Sequence, residues 1–165
     1  MSDAIQDTIK NGIDPAMPLL PEVMESPAAR VMLLAIGLQE SRLIHRRQIN
    51  GPARGLWQFE KGTRESRGGV WGVYLHPASA EPLKSLCLAR SVNHNPDSIY
   101  AALEYDDVLA CGAARLLLWT DPGSLPKIGD AQAGWDLYMR TWRPGKPHRN
   151  TWDALYAQAV KAVAA

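Results

Sequence analysis

Residues 26–41 read Ser26-Pro27-Ala28-Ala29-Arg30-Val31-Met32-Leu33-Leu34-Ala35-Ile36-Gly37-Leu38-Gln39-Glu40-Ser41. Ser followed by Pro is a strong helix start. The hydroxyl can accept an amide of the first turn, and proline has no amide there to leave unpaired. From Val31 to Leu38 the run is apolar on nearly every side, so the helix belongs in the middle of a domain. The pattern predicts a helix over roughly residues 27–46. On it Glu40 shares a stripe with Leu33, Ile36, Gly37 and Ile44, at helical spacing. Its carboxylate therefore leaves the apolar side near the C-terminal end. Desolvation and the negative end of the helix dipole both disfavour the charged form. A carboxylic acid held protonated near neutral pH is what protonation of a glycosidic oxygen needs. A structural ion pair with Arg42, Arg46 or Arg54 is the competing use of the same side chain.

Working outward, residues 1–12 read as a short amphipathic helix stopped at Asn11-Gly12, and Pro15, Pro18 and Pro21 make a stiff connection. Residues 1–26 are thus an N-terminal extension to a main unit over 27–165, within one domain overall. Residues 47–82 change character, punctuated by Gly51-Pro52, Gly55, Gly62, Gly68-Gly69 and Gly72. They predict loops and irregular elements, with a small β-hairpin through Val70 to Leu75. Helical patterning returns at 83–90 and again from Asn95-Pro96-Asp97 to Trp119, where Gly112-Ala113-Ala114 permits close helix packing. Further helices are expected near 129–142 and from Thr151, on either side of Trp142-Arg143-Pro144-Gly145-Lys146-Pro147. The expected fold is mainly α: a single helical domain with a loop-rich insertion after the helix that carries Glu40.

Composition narrows the function. With 46% hydrophobic and 21% charged residues, the 165-residue chain has the balance of a soluble globular protein. A net charge of +1 supplies no field that would favour nucleic acid or an acidic membrane surface. No apolar run approaches the roughly 20 residues a membrane span needs. The segment Met1-Ser2-Asp3-Ala4-Ile5-Gln6-Asp7 has neither the basic nor the apolar region of a secretory signal. Cys87 and Cys111 lack metal-ligand spacing and read as two buried free thiols, with a disulfide as the alternative. No HExxH or CxxC pattern occurs, so neither a metal nor a cofactor is expected. Six Trp and five Tyr stand against a single Phe. Rings with polar edges suit surfaces that are wet on one face, sugar-binding grooves among them.

Gly51-Pro52-Ala53-Arg54-Gly55-Leu56-Trp57-Gln58-Phe59 follows the Glu helix after a short connection. Glu40-Ser41 together with Gly55-Leu56-Trp57-Gln58 resembles the lytic transglycosylase family of the lysozyme-like superfamily, in which a Glu-Ser ends the central helix and Gly-Leu-Met-Gln comes later. The resemblance implies a lysozyme-like domain acting on the glycan strands of peptidoglycan. It implies Glu40 as the acid/base, Ser41 as a residue orienting it or the substrate, and Gly55, Trp57 and Gln58 as the groove loop. Trp57 stands where the family has Met. Ala113-Ala114-Arg115-Leu116-Leu117 resembles a third family segment. The family's Ala-Tyr-Asn-Ala-Gly motif is absent. By order its nearest counterpart is Gly134-Trp135-Asp136-Leu137-Tyr138-Met139, whose Tyr138 could bring a hydroxyl to the Glu or simply pack in the core.

Most glycosidases use two carboxylates. Glu60 and Glu65 lie in the loop segment, where either could face the groove as loop acids do in goose-type lysozymes, or sit in solvent. The family route needs one Glu, which protonates the leaving oxygen and then deprotonates the C6 hydroxyl of the muramoyl unit to give a 1,6-anhydro end. A hydrolytic muramidase of the same fold is one rival, and a non-catalytic wall-binding virion protein is the other. Arg140, Arg143, Lys146 and Arg149 form a basic segment that could meet peptide-stem carboxylates, meet a partner surface, or remain solvated. The resemblance also suggests a bacteriophage protein of lysis or wall penetration, made in the host cytoplasm and acting on the periplasmic wall. Other virion proteins would then be its partners.

Overall fold

The computed structural model describes residues 2–165. Met1, where the sequence places the start of the first helix, lies outside the described residues. The protein is a mainly α single domain. Among the described residues it has eight α-helices of seven residues or more and no β-strand. They are α1 Ser2–Thr8, α2 Pro27–Ser41, α3 Gly69–Leu75, α4 Ala80–Ala89, α5 Pro96–Leu103, α6 Asp107–Trp119, α7 Ala131–Trp142 and α8 Arg149–Ala164.

Two helices form the interior. In α2 every residue from Val31 to Leu38 is buried, and in α6 every residue from Val108 to Leu118. Helix α8 runs along α2, while α6 is wrapped by the N-terminal run, α3, α4 and α5. Both expected caps are in place. The Ser26 hydroxyl accepts the Ala29 amide at 3.1 Å, and the Asn95 side chain accepts that of Ser98 at 2.8 Å. Asp106 and Asp130 cap α6 and α7 in the same way.

Several boundaries differ from the sequence reading. Helix α2 stops at Ser41 rather than near Arg46, because Arg42 and Leu43 both take left-handed backbone angles (φ 57° and 58°). The Arg42 guanidinium then folds back onto the Leu38 and Gln39 carbonyls of the last turn. Gly12 does not end the first helix. The run continues through a π turn, Ile9–Ile13, into helical turns at Asp14–Ala16 and Met17–Leu19. The wider turn absorbs Pro15, whose missing amide and bulky ring a regular α-helix resists. Residues Ile13, Ala16, Met17, Leu20 and Met24 enter the common core, so the N-terminal segment is part of the domain it precedes. The hairpin expected over Val70–Leu75 is the helix α3. The only antiparallel pairing among the described residues is a pair of isolated bridges, Arg47 with Arg54 and Arg54 with Phe59, which close the tight Gly55–Gln58 turn. The helical region from Pro96 to Trp119 is two helices rather than one, parted at Glu104–Asp106. Helix α4 starts at Ala80, earlier than expected, and α8 at Arg149. Cys87 and Cys111 are buried free thiols. No helix among the described residues is long and apolar enough to cross a membrane.

Candidate active site

Glu40 is the penultimate residue of α2, where the buried helix emerges into a cleft of about 790 Å³. Glu40 and Tyr138 line it together with the loop side chains Gln58, Phe59 and Glu60 on the one hand and Thr141, Trp142 and Arg143 on the other. Burial pushes the Glu40 carboxyl up from 4.5 to about 7; the Tyr138 hydrogen bond opposes this rise and the negative charge of Glu60 adds to it. None of the arginines considered as partners reaches it. Arg42 binds helix carbonyls, Arg46 forms a bidentate pair with Asp107, and Arg54 binds the Gly51 and Ala53 carbonyls. Among the described residues Glu40 has no ion pair.

Its one side-chain hydrogen bond among the described residues comes from Tyr138, whose hydroxyl donates to Glu40 Oε1 at 2.5 Å. Helix α7 carries Tyr138, and the ring is fixed by stacking on Trp152 of α8 at 5.4 Å, with planes 8° apart. Trp135 packs against both rings. Burial and the neighbouring carboxylate raise the phenol pKa, so Tyr138 stays protonated and serves as a donor.

The loop residues divide. Gln58 lines the cleft, with a left-handed backbone (φ 51°). Its Nε2 donates to the Gly55 carbonyl at 2.9 Å, and its Oε1 has no protein donor among the described residues. Trp57 is not a groove residue. It is fully buried (0% exposed), and its Nε1 donates to the Leu33 carbonyl at 2.8 Å. Gly37 lies beside it, where a Cβ would collide with Leu43. Ser41 faces neither Glu40 nor the cleft. It is buried, donates to the Leu56 carbonyl at 2.6 Å and accepts the Leu43 amide, clamping the loop to the helix end. Gly55 is likewise structural: its φ of 78° and its approach to the Leu103 carbonyl leave no room for a side chain.

Glu60 lines the cleft, whereas Glu65 is exposed and does not. Of the basic segment, Arg143 and Lys146 reach the cleft, while Arg140 pairs with Asp121 and Arg149 with Asp153. Trp142 is a cleft residue that the sequence reading passed over. Its position one helical turn after Tyr138 is the signal that could have found it. Its Nε1 donates to the Trp57 carbonyl at 2.9 Å and ties α7 to the loop. The excess of Trp and Tyr over Phe therefore has mainly an internal cause. The polar edges of Trp57, Trp142 and Trp152 each satisfy a backbone carbonyl inside the fold, and only Trp142 faces the cleft. Among the described residues no three His, Cys, Asp or Glu side chains gather as a metal site. No family model, curated protein or solved structure matches the chain.

Proposed function

We propose that this chain cleaves the glycan strands of peptidoglycan as a lytic transglycosylase, with Glu40 acting first as acid and then as base. The observation that carries the reading is Glu40 itself: a carboxyl raised to about 7, free of any ion pair, held by Tyr138 and open to a cleft. With Tyr138 on Oε1, the acidic proton sits on Oε2 and can pass to the β-1,4 glycosidic oxygen between the muramoyl and glucosaminyl units. The leaving sugar departs as an alcohol, and positive charge develops at the muramoyl C1 beside the new carboxylate. That carboxylate takes the proton of the C6 hydroxyl as the C6 oxygen bonds to C1. Glu40 ends protonated, and the product carries a 1,6-anhydro ring. Being held within the same molecule gives the C6 hydroxyl an effective concentration that bulk water lacks. Gln58 supplies an unengaged acceptor beside the acid for a sugar hydroxyl or amide. In this reading the biological setting is phage lysis or wall penetration.

One observation favours a hydrolytic muramidase instead. Glu60 lies in the same cleft and acts electrostatically on Glu40, so it is a carboxylate that could activate water. Mass spectrometry of soluble products from purified sacculi separates the two. Muropeptides lighter by one water than the hydrolytic product are expected. A product set dominated by reducing ends overturns the transglycosylase reading and leaves Glu60 as the base.

A further inference from the structure

Arg115 of α6 is buried (3% exposed), and among the described residues no acid pairs with it. Its Nε donates to the Met24 carbonyl at 2.8 Å, and its guanidinium carbon stands 5.5 Å from the ring centroid of Trp119. Glu25 is near enough to act on its charge but is taken by Arg30 at 2.7 Å. Burial lowers the Arg115 pKa to about 10, which still leaves it charged at neutral pH. A buried, unpaired cation is costly unless something meets it. The two Nη atoms have no protein acceptor among the described residues, and they are not sealed in. Arg115 lines a second cleft of about 540 Å³, which shares no lining residue with the Glu40 cleft. Val23, Leu118, Trp119 and Leu125 give this cleft apolar walls. Its one acid, Asp121, is held by Arg140 at 3.1 and 3.3 Å and by the Gly123 amide. The unneutralised charge facing the cleft is therefore a single guanidinium, with Ser26 and Ser124 beside the apolar side chains.

We propose that this second cleft binds a carboxylate carried on an apolar body, gripped by the Arg115 Nη atoms. A planar guanidinium matches a planar carboxylate atom for atom, and one positive charge balances one negative charge. A phosphate dianion would exceed the charge available. The proposal is independent of the glycan-cleaving reading.

The test is a titration of the full chain followed by the Arg115 Nε–Hε resonance in ¹H–¹⁵N spectra. Sodium benzoate probes a free acid, and an N-acetylated tripeptide ending in leucine with a free carboxylate probes a chain terminus. Saturable shifts are expected for at least one probe, while benzamide and the amidated peptide fail at tenfold higher concentration. Tenfold tighter binding of the peptide assigns the site to a chain terminus, and equal or tighter binding of benzoate to a free acid. Arg115→Met is expected to weaken binding at least tenfold, read from the Trp119 indole resonance, whereas Glu40→Gln binds as the wild type does. If Arg115→Met fails to fold, Arg115→Lys keeps the charge but loses the fork, and is expected to bind several-fold more weakly. Absence of saturation with both acids, equal binding of the amides, tighter binding of inorganic phosphate, or wild-type affinity in a folded Arg115 variant overturns the proposal.

Discussion

Under the proposed function, Glu40 sets catalysis against stability within one side chain. Its pKa is raised on folding, so its protonated form is the one the fold tolerates. The contribution of Glu40 to stability is complete below pH ~4.5, declines as pH rises, and is lost above about 7. At 1.36 kcal/mol per unit the loss is at most roughly 3–4 kcal/mol. Glu40→Gln is therefore expected to match the wild type near pH 4 and to be more stable at pH 8. It is also expected to lose about 10²–10⁴-fold in cleavage. Denaturant midpoints at the two pH values, with sacculus clearing, check both halves, and a stability difference independent of pH would remove the buried-acid account. Tyr138→Phe tests the partner. The hydroxyl lowers the Glu40 pKa, so its removal is expected to shift the alkaline limb of kcat/KM to higher pH. A fall in kcat of about 10–100-fold from lost positioning should accompany it, with KM little changed. An unmoved limb would mean that Tyr138 only packs.

At the scale of elements, the site depends on how the Gly51–Phe59 loop is fastened. Four bonds cross to helices: Ser41 to the Leu56 carbonyl, Trp57 to the Leu33 carbonyl, Trp142 to the Trp57 carbonyl, and Tyr100 to the Pro52 carbonyl. Trp57 therefore belongs to the core, and Trp57→Ala is expected to cost about 3–5 kcal/mol of stability. Trp142→Phe retains a ring but drops one hydrogen bond. A stability loss of about 1 kcal/mol is expected there, with a larger proportional loss of turnover, since the ring lines the cleft. Chemical denaturation and clearing rates on the same preparations compare the two. If Trp57→Ala kept its midpoint while losing activity, the groove assignment would return.

The whole molecule is organised around two helices that expose almost nothing, α2 and α6, and its thiols report on that arrangement. Cys111 lies in α6 and Cys87 in α4, both buried, and burial raises both pKa values, that of Cys87 to about 11. Neither is expected to react with a thiol reagent in the native state, and both should react in denaturant. The native reaction rate should follow global unfolding as denaturant is added. Fast labelling of either thiol at zero denaturant would show that the core opens locally.

The sequence alone determined the features that depend on near neighbours. Ser26-Pro27 and Asn95-Pro96 start helices because capping is settled within one turn. The apolar run from Val31 to Leu38 forces burial whatever packs on it, and so Glu40 at its end had to be desolvated. Gln58 followed from the loop motif. Tertiary structure decided the rest. The stop at Ser41 uses left-handed Arg42 and Leu43, side chains that do not announce such a turn; Ser41 holds it, accepting the Leu43 amide and donating to the Leu56 carbonyl of the loop. Val70–Leu75 is short enough for strand and helix to compete, and packing against α6 selects helix. Trp57 turned inward onto the Leu33 carbonyl of another element. Tyr138 meets Glu40 across 98 residues of chain, and Glu60 rather than Glu65 reaches the cleft. Periodicity assigns a residue to a face of its own helix, but the partner it meets there is set by how the helices cross.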